Sequence, residues 1–174
     1  MMNGLLLLIP FLIIRFVLLH VLNKESVQRA SHFAPAQGNE KVFYYIYQIS
    51  NIALFMYLFF LTVEFDFSWL FFLGVAFYFI GLCLCTITIV NFSTPDASGM
   101  NTNGIYRFSR NPMYIAYFIC FIGMALLTRS LILFAVILIF QFSAHWIILA
   151  EERECKEIFG DAYIQYMKKV RRYI

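Results

Sequence analysis

Two short groups of polar residues in this 174-residue chain could do chemistry, and each of them adjoins an apolar run. In the first group, Asn111 is expected to cap a helix whose first residue is Pro112. Such a helix start directs unpaired backbone N–H groups outward, beside Arg107 and Arg110, which suits a bound carboxylate or phosphate. The alternative is a plain helix terminus whose arginines only follow the charge bias of membrane proteins.

The second group is the adjacent pair Glu151 and Glu152, at the end of a long apolar run. Negative charge is costly so close to a bilayer, and it therefore indicates a cationic partner. The alternative is a tail helix with ordinary ion pairs, such as Glu152 with Lys156. His145 precedes Glu152 on the same helical face and lies about 10 Å deeper, at about 1.5 Å per residue. It is a candidate base or a hydrogen-bonded structural residue.

Membrane helices must position both groups, because the composition is far from that of a water-soluble domain: 62% of the residues are hydrophobic and 13% are charged. The apolar runs are each near the roughly 20 residues that cross a bilayer. They predict an all-α, polytopic membrane protein of about five transmembrane helices with a C-terminal helix, built as a single domain (1–174). The predicted spans are residues 4–22, 42–63 and 68–90 in the N-terminal half (1–90), and 112–128 and 131–150 in the C-terminal half (91–174).

The fourth and fifth spans are predicted to form a helical hairpin, because only Arg129 and Ser130 separate them. The hairpin would bring Asn111 and Glu151 to the same end of the bundle. An anion site and a cation site about 10 Å apart would then suit a zwitterionic ligand. Small residues at helical spacing further predict that helix backbones approach closely; these residues are Gly74, Gly81, Ala116, Cys120 and Gly123.

The basic residues predict the orientation, since eleven of the 13 fall on one side when loops are counted alternately, and Arg129 alone falls on the other. We therefore expect the N-terminus outside, and the C-terminal helix and the candidate site on the cytoplasmic side. Arg15 is expected to reach the cytoplasmic interface from the first span, as a structural residue. The cysteine spacing indicates no disulfide or metal site, and no solvated basic face indicates nucleic acid.

Several motifs follow one another over about the last 80 residues: Gly104-Ile105-Tyr106, then Ser109-Arg110-Asn111-Pro112-Met113-Tyr114, then Glu151-Glu152, then Phe159-Gly160-Asp161-Ala162-Tyr163 and Tyr166. Their order and spacing resemble the isoprenylcysteine carboxyl methyltransferase and phospholipid methyltransferase superfamily of membrane enzymes. The resemblance implies a methyltransferase that binds S-adenosyl-L-methionine from the cytoplasm. It also implies a lipophilic acceptor that enters from the bilayer, among the membrane lipids.

By position, the resemblance implies a set of cofactor-binding residues: Ser98, Gly99, Met100, Asn101, Tyr106, Asn111, Pro112, Met113, Tyr114 and Glu151. Two departures from the family pattern stand out. The commonest family form has histidine at the position of Asn111. The prenylcysteine enzymes have an arginine that recognises the acceptor carboxylate at the position of Ile147. A carboxylate acceptor would then need its charge partner from Arg107, Arg110 or the first loop, residues 23–41.

The acceptor stays open at this point among a prenylcysteine carboxylate, a phospholipid amine and a small thiol. A carboxylate or a thiolate needs no general base, whereas an ammonium group must first lose a proton. Glu152 and His145 are the candidate catalytic residues for that step. A membrane protein without enzymatic activity, in which both polar groups are topological, is the remoter alternative.

Overall fold

The computed structural model describes residues 2–173, which fold into a mostly helical bundle. A two-residue ladder joins β1 (Met2–Asn3) to β2 (Thr62–Val63). A 3-10 turn, Gly104–Arg107, precedes the second half of the bundle. The helices in chain order are α1 (Gly4–Leu22), α2 (Lys24–Ser31), α3 (Glu40–Leu58), α4 (Trp69–Phe92), α5 (Pro112–Leu127), α6 (Leu131–Phe159) and α7 (Asp161–Lys169).

Three of these helices are long and apolar enough to cross a bilayer within the described chain, namely α1, α4 and α6. The apolar α5 has 16 residues, which is short for a span, and α3 begins with the charged Glu40 and Lys41. The prediction of an all-α membrane protein is therefore confirmed. The count of five spans stays a prediction.

Helix α1 changes its winding along its length. It begins as a 3-10 helix at Gly4–Leu7, continues as an α-helix, and widens into a π-helix at Ile13–Leu18. Arg15 lies inside this π segment. A π turn has one extra residue in its hydrogen-bonded ring, so it rotates the following residues relative to a regular α-helix.

Helices α4 and α5 pack backbone against backbone. A Cβ atom added at Gly81 would collide with the backbone of Cys120, and one added at Gly123 would collide with the backbone of Tyr78. These contacts confirm the close approach that the small residues predict. The packing fixes the start of α5, and with it one wall of the candidate site.

Helices α5 and α6 form the predicted hairpin. Thr128, Arg129 and Ser130 join them, and the Ser130 hydroxyl caps α6 by accepting a hydrogen bond from the Leu133 N–H at 3.1 Å. Arg129 pairs with Asp66 from the α3–α4 connection. The start of α5 and the later part of α6 therefore lie at the same end of the bundle.

The N-terminus and the α5–α6 turn share the other end. The Gly4 N–H donates to the Leu61 carbonyl at 2.7 Å, and the Glu64 N–H donates to the Leu127 carbonyl at 2.9 Å. Helices α2 and α7 lie at the opposite end, beside the 3-10 turn. The assignment of these two ends to the outside and to the cytoplasm stays a prediction.

Two predicted spans and one predicted loop differ from the structure. The second span was predicted to run to residue 63, but α3 ends at Leu58 and residues 62–63 form β2. The fifth span was expected to end at residue 150, but α6 continues to Phe159 and ends only at Gly160, whose positive φ of 54° stops the helix. Glu151 and Glu152 therefore lie inside a continuous helix. The first loop also contains α2, which Asn23 caps by accepting from the Glu25 and Ser26 N–H groups.

Candidate active site

The start of α5 and the end of α6 meet through Arg110 and Glu152. Arg110 donates to one carboxylate oxygen of Glu152 from Nε at 3.0 Å and from Nη2 at 2.7 Å. Arg172 donates to the other oxygen from Nε at 3.1 Å and from Nη2 at 2.8 Å. Glu152 is 3% exposed, so this is a buried carboxylate held by two arginines. The expected cationic partner is present, and it is not Lys156.

The chain after α7 holds this end of the site together. Ser109 and Arg171 form a parallel β-bridge, and the Arg110 N–H donates to the Arg171 carbonyl at 3.0 Å. The Arg110 guanidinium also donates to the carbonyls of Met167 and Val170, at 3.1 Å and 2.8 Å. These main-chain contacts fix the direction of Arg110.

Asn111 is the N-cap residue of α5, as predicted, but its side chain does not make the expected cap hydrogen bond. Its side-chain nitrogen donates to the Arg172 carbonyl at 3.2 Å and to Glu152 at 3.4 Å, and it makes no cap hydrogen bond to α5. Pro112 is the first residue of α5, as expected. The docked tail therefore orients the Asn111 amide through its nitrogen, whereas a helix cap would use its oxygen as the acceptor.

Glu151 has different surroundings from its neighbour. The Tyr114 hydroxyl donates to a Glu151 carboxylate oxygen at 2.8 Å. Within residues 2–173, no arginine, lysine or histidine lies at salt-bridge distance from Glu151. Glu151 lines a cavity of about 340 Å³ between α2, α5, α6 and the loop that follows α4. The Glu151 carboxyl group therefore faces the cavity without a basic partner in the described chain.

Nine of the ten residues predicted to bind the cofactor line this same cavity. Ser98 is the exception, since it is exposed and its hydroxyl donates to Asp96 at 2.6 Å. The nine are Gly99, Met100, Asn101, Tyr106, Asn111, Pro112, Met113, Tyr114 and Glu151.

Asp96 orders the loop that carries four of the predicted residues, a role that the sequence analysis missed. Its carboxylate accepts from the Ser98 hydroxyl and N–H, from the Met100 N–H at 3.2 Å, and from the Thr102 hydroxyl at 2.9 Å. The Ser98 hydroxyl, together with Thr102 and the backbone donors, holds the pKa of Asp96 below its usual range. An aspartate two residues before a serine is a typical turn signal, so the pattern was available.

Tyr106 reaches the cavity because the 3-10 turn is held from two sides. The Ile105 N–H donates to the Asn91 side chain at 2.8 Å, and the Tyr166 hydroxyl of α7 donates to the Tyr106 carbonyl at 2.6 Å. Gly104 has a φ of +55° and packs against Asn91, where a Cβ atom would not fit. Gly104 and the 3-10 turn thus together position Tyr106 in the cavity wall.

Asn101 carries a buried acceptor without a donor. Its side-chain oxygen has no hydrogen-bond partner within the described part of the chain, although Asn101 lines the cavity. A buried acceptor without a donor is costly, so this oxygen fits a ligand N–H or O–H group.

Arg15 and Arg29 also line the cavity, and the sequence analysis placed neither there. The expectation that Arg15 extends to the interface is wrong, because it contacts Met113 and Tyr117 of α5 instead. Arg29 donates to the Phe92 carbonyl at 2.9 Å and to the Gly99 carbonyl at 3.4 Å. A lone arginine within an apolar span was the available signal for Arg15.

The two candidate bases are not free groups that face the cavity. Glu152 lines it, but both of its oxygens are bound by arginines. His145 is not among the lining residues, and its Nδ1 lies 2.7 Å from the Tyr173 hydroxyl. Ile147 also lies outside the lining and is buried in the hydrophobic core.

Comparison with known proteins identifies the class of protein that carries this site. Residues 56–162 match the phospholipid methyltransferase family, and the chain belongs to that family. The family is named for methyl transfer to phospholipids, and S-adenosylmethionine is the usual methyl donor of methyltransferases.

A named relative is the protein-S-isoprenylcysteine O-methyltransferase of Schizosaccharomyces pombe. It is 40% identical over 72 residues, which are 40% of this chain and 30% of the relative. The match therefore covers less than a third of the relative's length. No solved structure matches the chain.

Proposed function

We propose that the protein transfers a methyl group from S-adenosyl-L-methionine to a lipophilic acceptor at the cytoplasmic membrane face, in the manner of isoprenylcysteine carboxyl methyltransferases. The observation that carries this proposal is the convergence of residues on one cavity. Nine residues that the family pattern assigns to the cofactor come from a loop, a 3-10 turn and two helices, yet they line a single space.

The chemistry of the lining fits the cofactor. Glu151 has no basic partner in the described chain and suits the ammonium group of the methionine part. Arg29, next to the Gly99 carbonyl, suits its carboxylate. The unmatched oxygen of Asn101 suits an N–H or O–H donor of the adenosine part. The ammonium group, the carboxylate and one donor of the adenosine part thus each have a complementary residue.

The bound cofactor would supply a methyl carbon on a sulfonium, to which an acceptor atom forms a new bond as the carbon–sulfur bond breaks and a neutral thioether leaves. The protein's task is then to align the acceptor and to exclude water. Tyr106, Tyr114 and Tyr117 are largely removed from solvent and wall the cavity with aromatic surface. Such walls keep water from competing with the acceptor.

The environments of the two candidate bases favour an acceptor that needs none. Glu152 is engaged by Arg110 and Arg172, and His145 lies outside the cavity lining. A carboxylate acceptor is already deprotonated at neutral pH, so it requires no such residue. This supports the prenylcysteine-like reaction over methylation of an amine.

A second candidate is methylation of a phospholipid amine. The family match favours it, because its description names phospholipids, and the apolar Ile147 stands where prenylcysteine enzymes have arginine. Methylation of a small thiol on the same scaffold is a further variant. In either case the cofactor cavity would be the same and only the acceptor would differ.

The membrane arrangement is part of the proposal. Helices α3 and α5 would add two spans to α1, α4 and α6, which gives five in total. The end of the bundle with the cavity carries most of the lysines and arginines, so it would face the cytoplasm. The methyl donor would then reach the site from the compartment in which it is made.

The test is the binding of S-adenosylhomocysteine to detergent-solubilised protein, followed by an acceptor screen with a labelled methyl donor. We expect saturable binding, and label transfer to a prenylcysteine with a free carboxylate. Transfer to phosphatidylethanolamine alone would favour the second candidate. A protein that is folded in detergent yet binds no S-adenosylhomocysteine would contradict the proposal.

A further inference from the structure

Arg15 is a cation inside a membrane-spanning helix, and its partners are all neutral. Its guanidinium donates to the Tyr117 hydroxyl, to the Met113 sulfur at 3.1 Å and to the Ala30 carbonyl at 3.2 Å. Among residues 2–173, no carboxylate lies at salt-bridge distance from it. A charge at this depth is expensive, and such residues commonly mark a ligand site.

The backbone around Arg15 is also unusual. Ile13–Leu18 forms a π-helix, whereas the residues on both sides, Leu8–Leu12 and Leu19–Leu22, are α-helical. Short π segments are rare and occur frequently at functional sites. Phe16 and Val17 are each 55% exposed on the outer surface, while Arg15 next to them lines the cavity. The π segment therefore combines an outward apolar surface with an inward cation.

The other basic side chains that line the cavity have hydrogen-bond partners of their own. Arg110 is bound to Glu152, and His32 lies 2.9 Å from Glu154. Arg29 is held at the loop end by the carbonyls of Phe92 and Gly99. Arg15 and Arg29 are thus the two arginines of the cavity that have no carboxylate at salt-bridge distance in the described chain.

Arg15 and Arg29 contact different elements of the cavity wall, although the Ala30 carbonyl that Arg15 contacts belongs to the residue after Arg29. Arg29 contacts the loop that carries the predicted cofactor residues. Arg15 contacts Tyr117, which is five residues into α5 from Pro112, or roughly 7 Å along the helix at about 1.5 Å per residue. Arg29 is therefore bound to the loop, whereas Arg15 is bound to α5 and to the Ala30 carbonyl of α2.

We propose that Arg15 binds the carboxylate of the lipophilic acceptor and is a specificity-determining residue for it; this inference rests on the proposed methyl transfer. A guanidinium presents paired N–H donors that match the two oxygens of a carboxylate. A site beside apolar helix surface suits a carboxylate that is attached to a hydrocarbon chain. Arg15 would thereby supply the charge that prenylcysteine enzymes place at the position of Ile147.

The test compares the farnesyl derivative of N-acetylcysteine, as the free acid, with its neutral carboxamide. Binding of each is measured by competition in wild type, Arg15→Met and Arg15→Lys, and S-adenosylhomocysteine binding is measured in parallel. Wild type should prefer the acid by about ten-fold or more, Arg15→Met should lose that preference, and Arg15→Lys should retain part of it. S-adenosylhomocysteine affinity should change less than about three-fold in Arg15→Met.

Arg29→Met is the matched control, because it also removes one arginine from the same cavity. It should weaken S-adenosylhomocysteine binding by about ten-fold and keep the preference for the acid. The reverse pattern, in which Arg15→Met weakens cofactor binding and leaves the acid preference intact, would assign Arg15 to the cofactor and overturn the proposal. An Arg15→Met variant with the same acid preference and the same S-adenosylhomocysteine affinity as wild type would also overturn the proposal.

Two further outcomes separate this proposal from the proposed function. If Arg15→Met does not fold, the preference for the acid is compared between wild type and Arg15→Lys. A wild type without that preference contradicts the role of Arg15. If wild type binds S-adenosylhomocysteine but methylates only phosphatidylethanolamine, the Arg15 proposal fails and methyl transfer stands. Failure of the wild type to bind S-adenosylhomocysteine would instead overturn the proposed function.

Discussion

Glu151 and Glu152 are adjacent in sequence but their carboxylates have opposite surroundings. Both oxygens of Glu152 are occupied by Arg110 and Arg172, whereas Glu151 faces the cavity and accepts from the Tyr114 hydroxyl. Neighbouring residues of a helix point about 100° apart, so one helix can serve a structural ion pair and a ligand site at the same level. The two substitutions should therefore have different effects.

Glu151→Gln should weaken cofactor binding without unfolding the protein. A charge-assisted hydrogen bond is worth about 1.5–3 kcal/mol, so the affinity for S-adenosylhomocysteine should fall roughly ten- to a hundred-fold. Titration calorimetry on solubilised protein measures this change, and the thermal midpoint should stay close to wild type. Glu157→Gln is the control, because Glu157 is exposed on the same helix and does not line the cavity. An unchanged dissociation constant in Glu151→Gln would mean that this carboxylate does not bind the cofactor.

Glu152→Gln should mainly lower stability. The side chains of Glu152 and Arg110 are 4% and 7% exposed, so loss of the carboxylate leaves a buried arginine without its counter-charge. Removing one partner of such a pair costs about 3–5 kcal/mol. Thermal unfolding in detergent should show a clear decrease of the midpoint, again with Glu157→Gln as the control. A midpoint equal to wild type would mean that the two arginines find other partners.

Asp96→Asn should disorder the loop that carries Gly99, Met100 and Asn101. Because the folded-state pKa of Asp96 is lowered, its contribution is present above the ordinary carboxyl pKa and is lost as pH falls through the folded value. The protection factor of the Met100 amide, which is the intrinsic exchange rate at each pH divided by the observed rate, should therefore fall in acid for wild type. In Asp96→Asn the protection factor should be low already at neutral pH. Equal protection in both proteins at neutral pH would contradict this role.

The orientation can be tested by cysteine labelling in intact cells. A thiol placed at Ser130, in the α5–α6 turn, should react with an impermeant reagent, and one placed at Lys169 should not. The four native cysteines are free thiols, and Cys83 is exposed, so they are first replaced. The reverse labelling pattern would place the cavity outside and remove its access to a cytosolic methyl donor.

The periodicity and spacing of the sequence were sufficient to predict the α5–α6 hairpin and the close packing of α4 against α5. Only two residues separate the fourth and fifth apolar runs, and the small residues of α4 and α5 are those that the structure brings together. The same spacing placed Asn111 and Glu151 at one end of the bundle. Covalent connectivity and close backbone approach are local constraints, which a sequence pattern can carry.

The direction of Arg15 could not be predicted in the same way. An arginine within an apolar span can extend along the helix to the interface or turn towards a neighbouring helix. Its choice depends on helix rotation, which the π segment changes. The docking of the tail was also hidden, because Arg110 and Asn111 bind to backbone carbonyls of residues 167–172. Carbonyls are present at every residue, so they leave no signature in the sequence.

That docking has a consequence for how the enzyme is made. Arg110 cannot take its place until Met167, Val170 and Arg171 exist to accept its hydrogen bonds, and Glu152 lacks its second arginine until Arg172 follows. The apolar helices can insert into the membrane as they emerge from the ribosome, but the ion pair at this end of the bundle must wait for the tail to be translated. A nascent chain that stalls after α6 would hold its helices in the bilayer and still lack an ordered site.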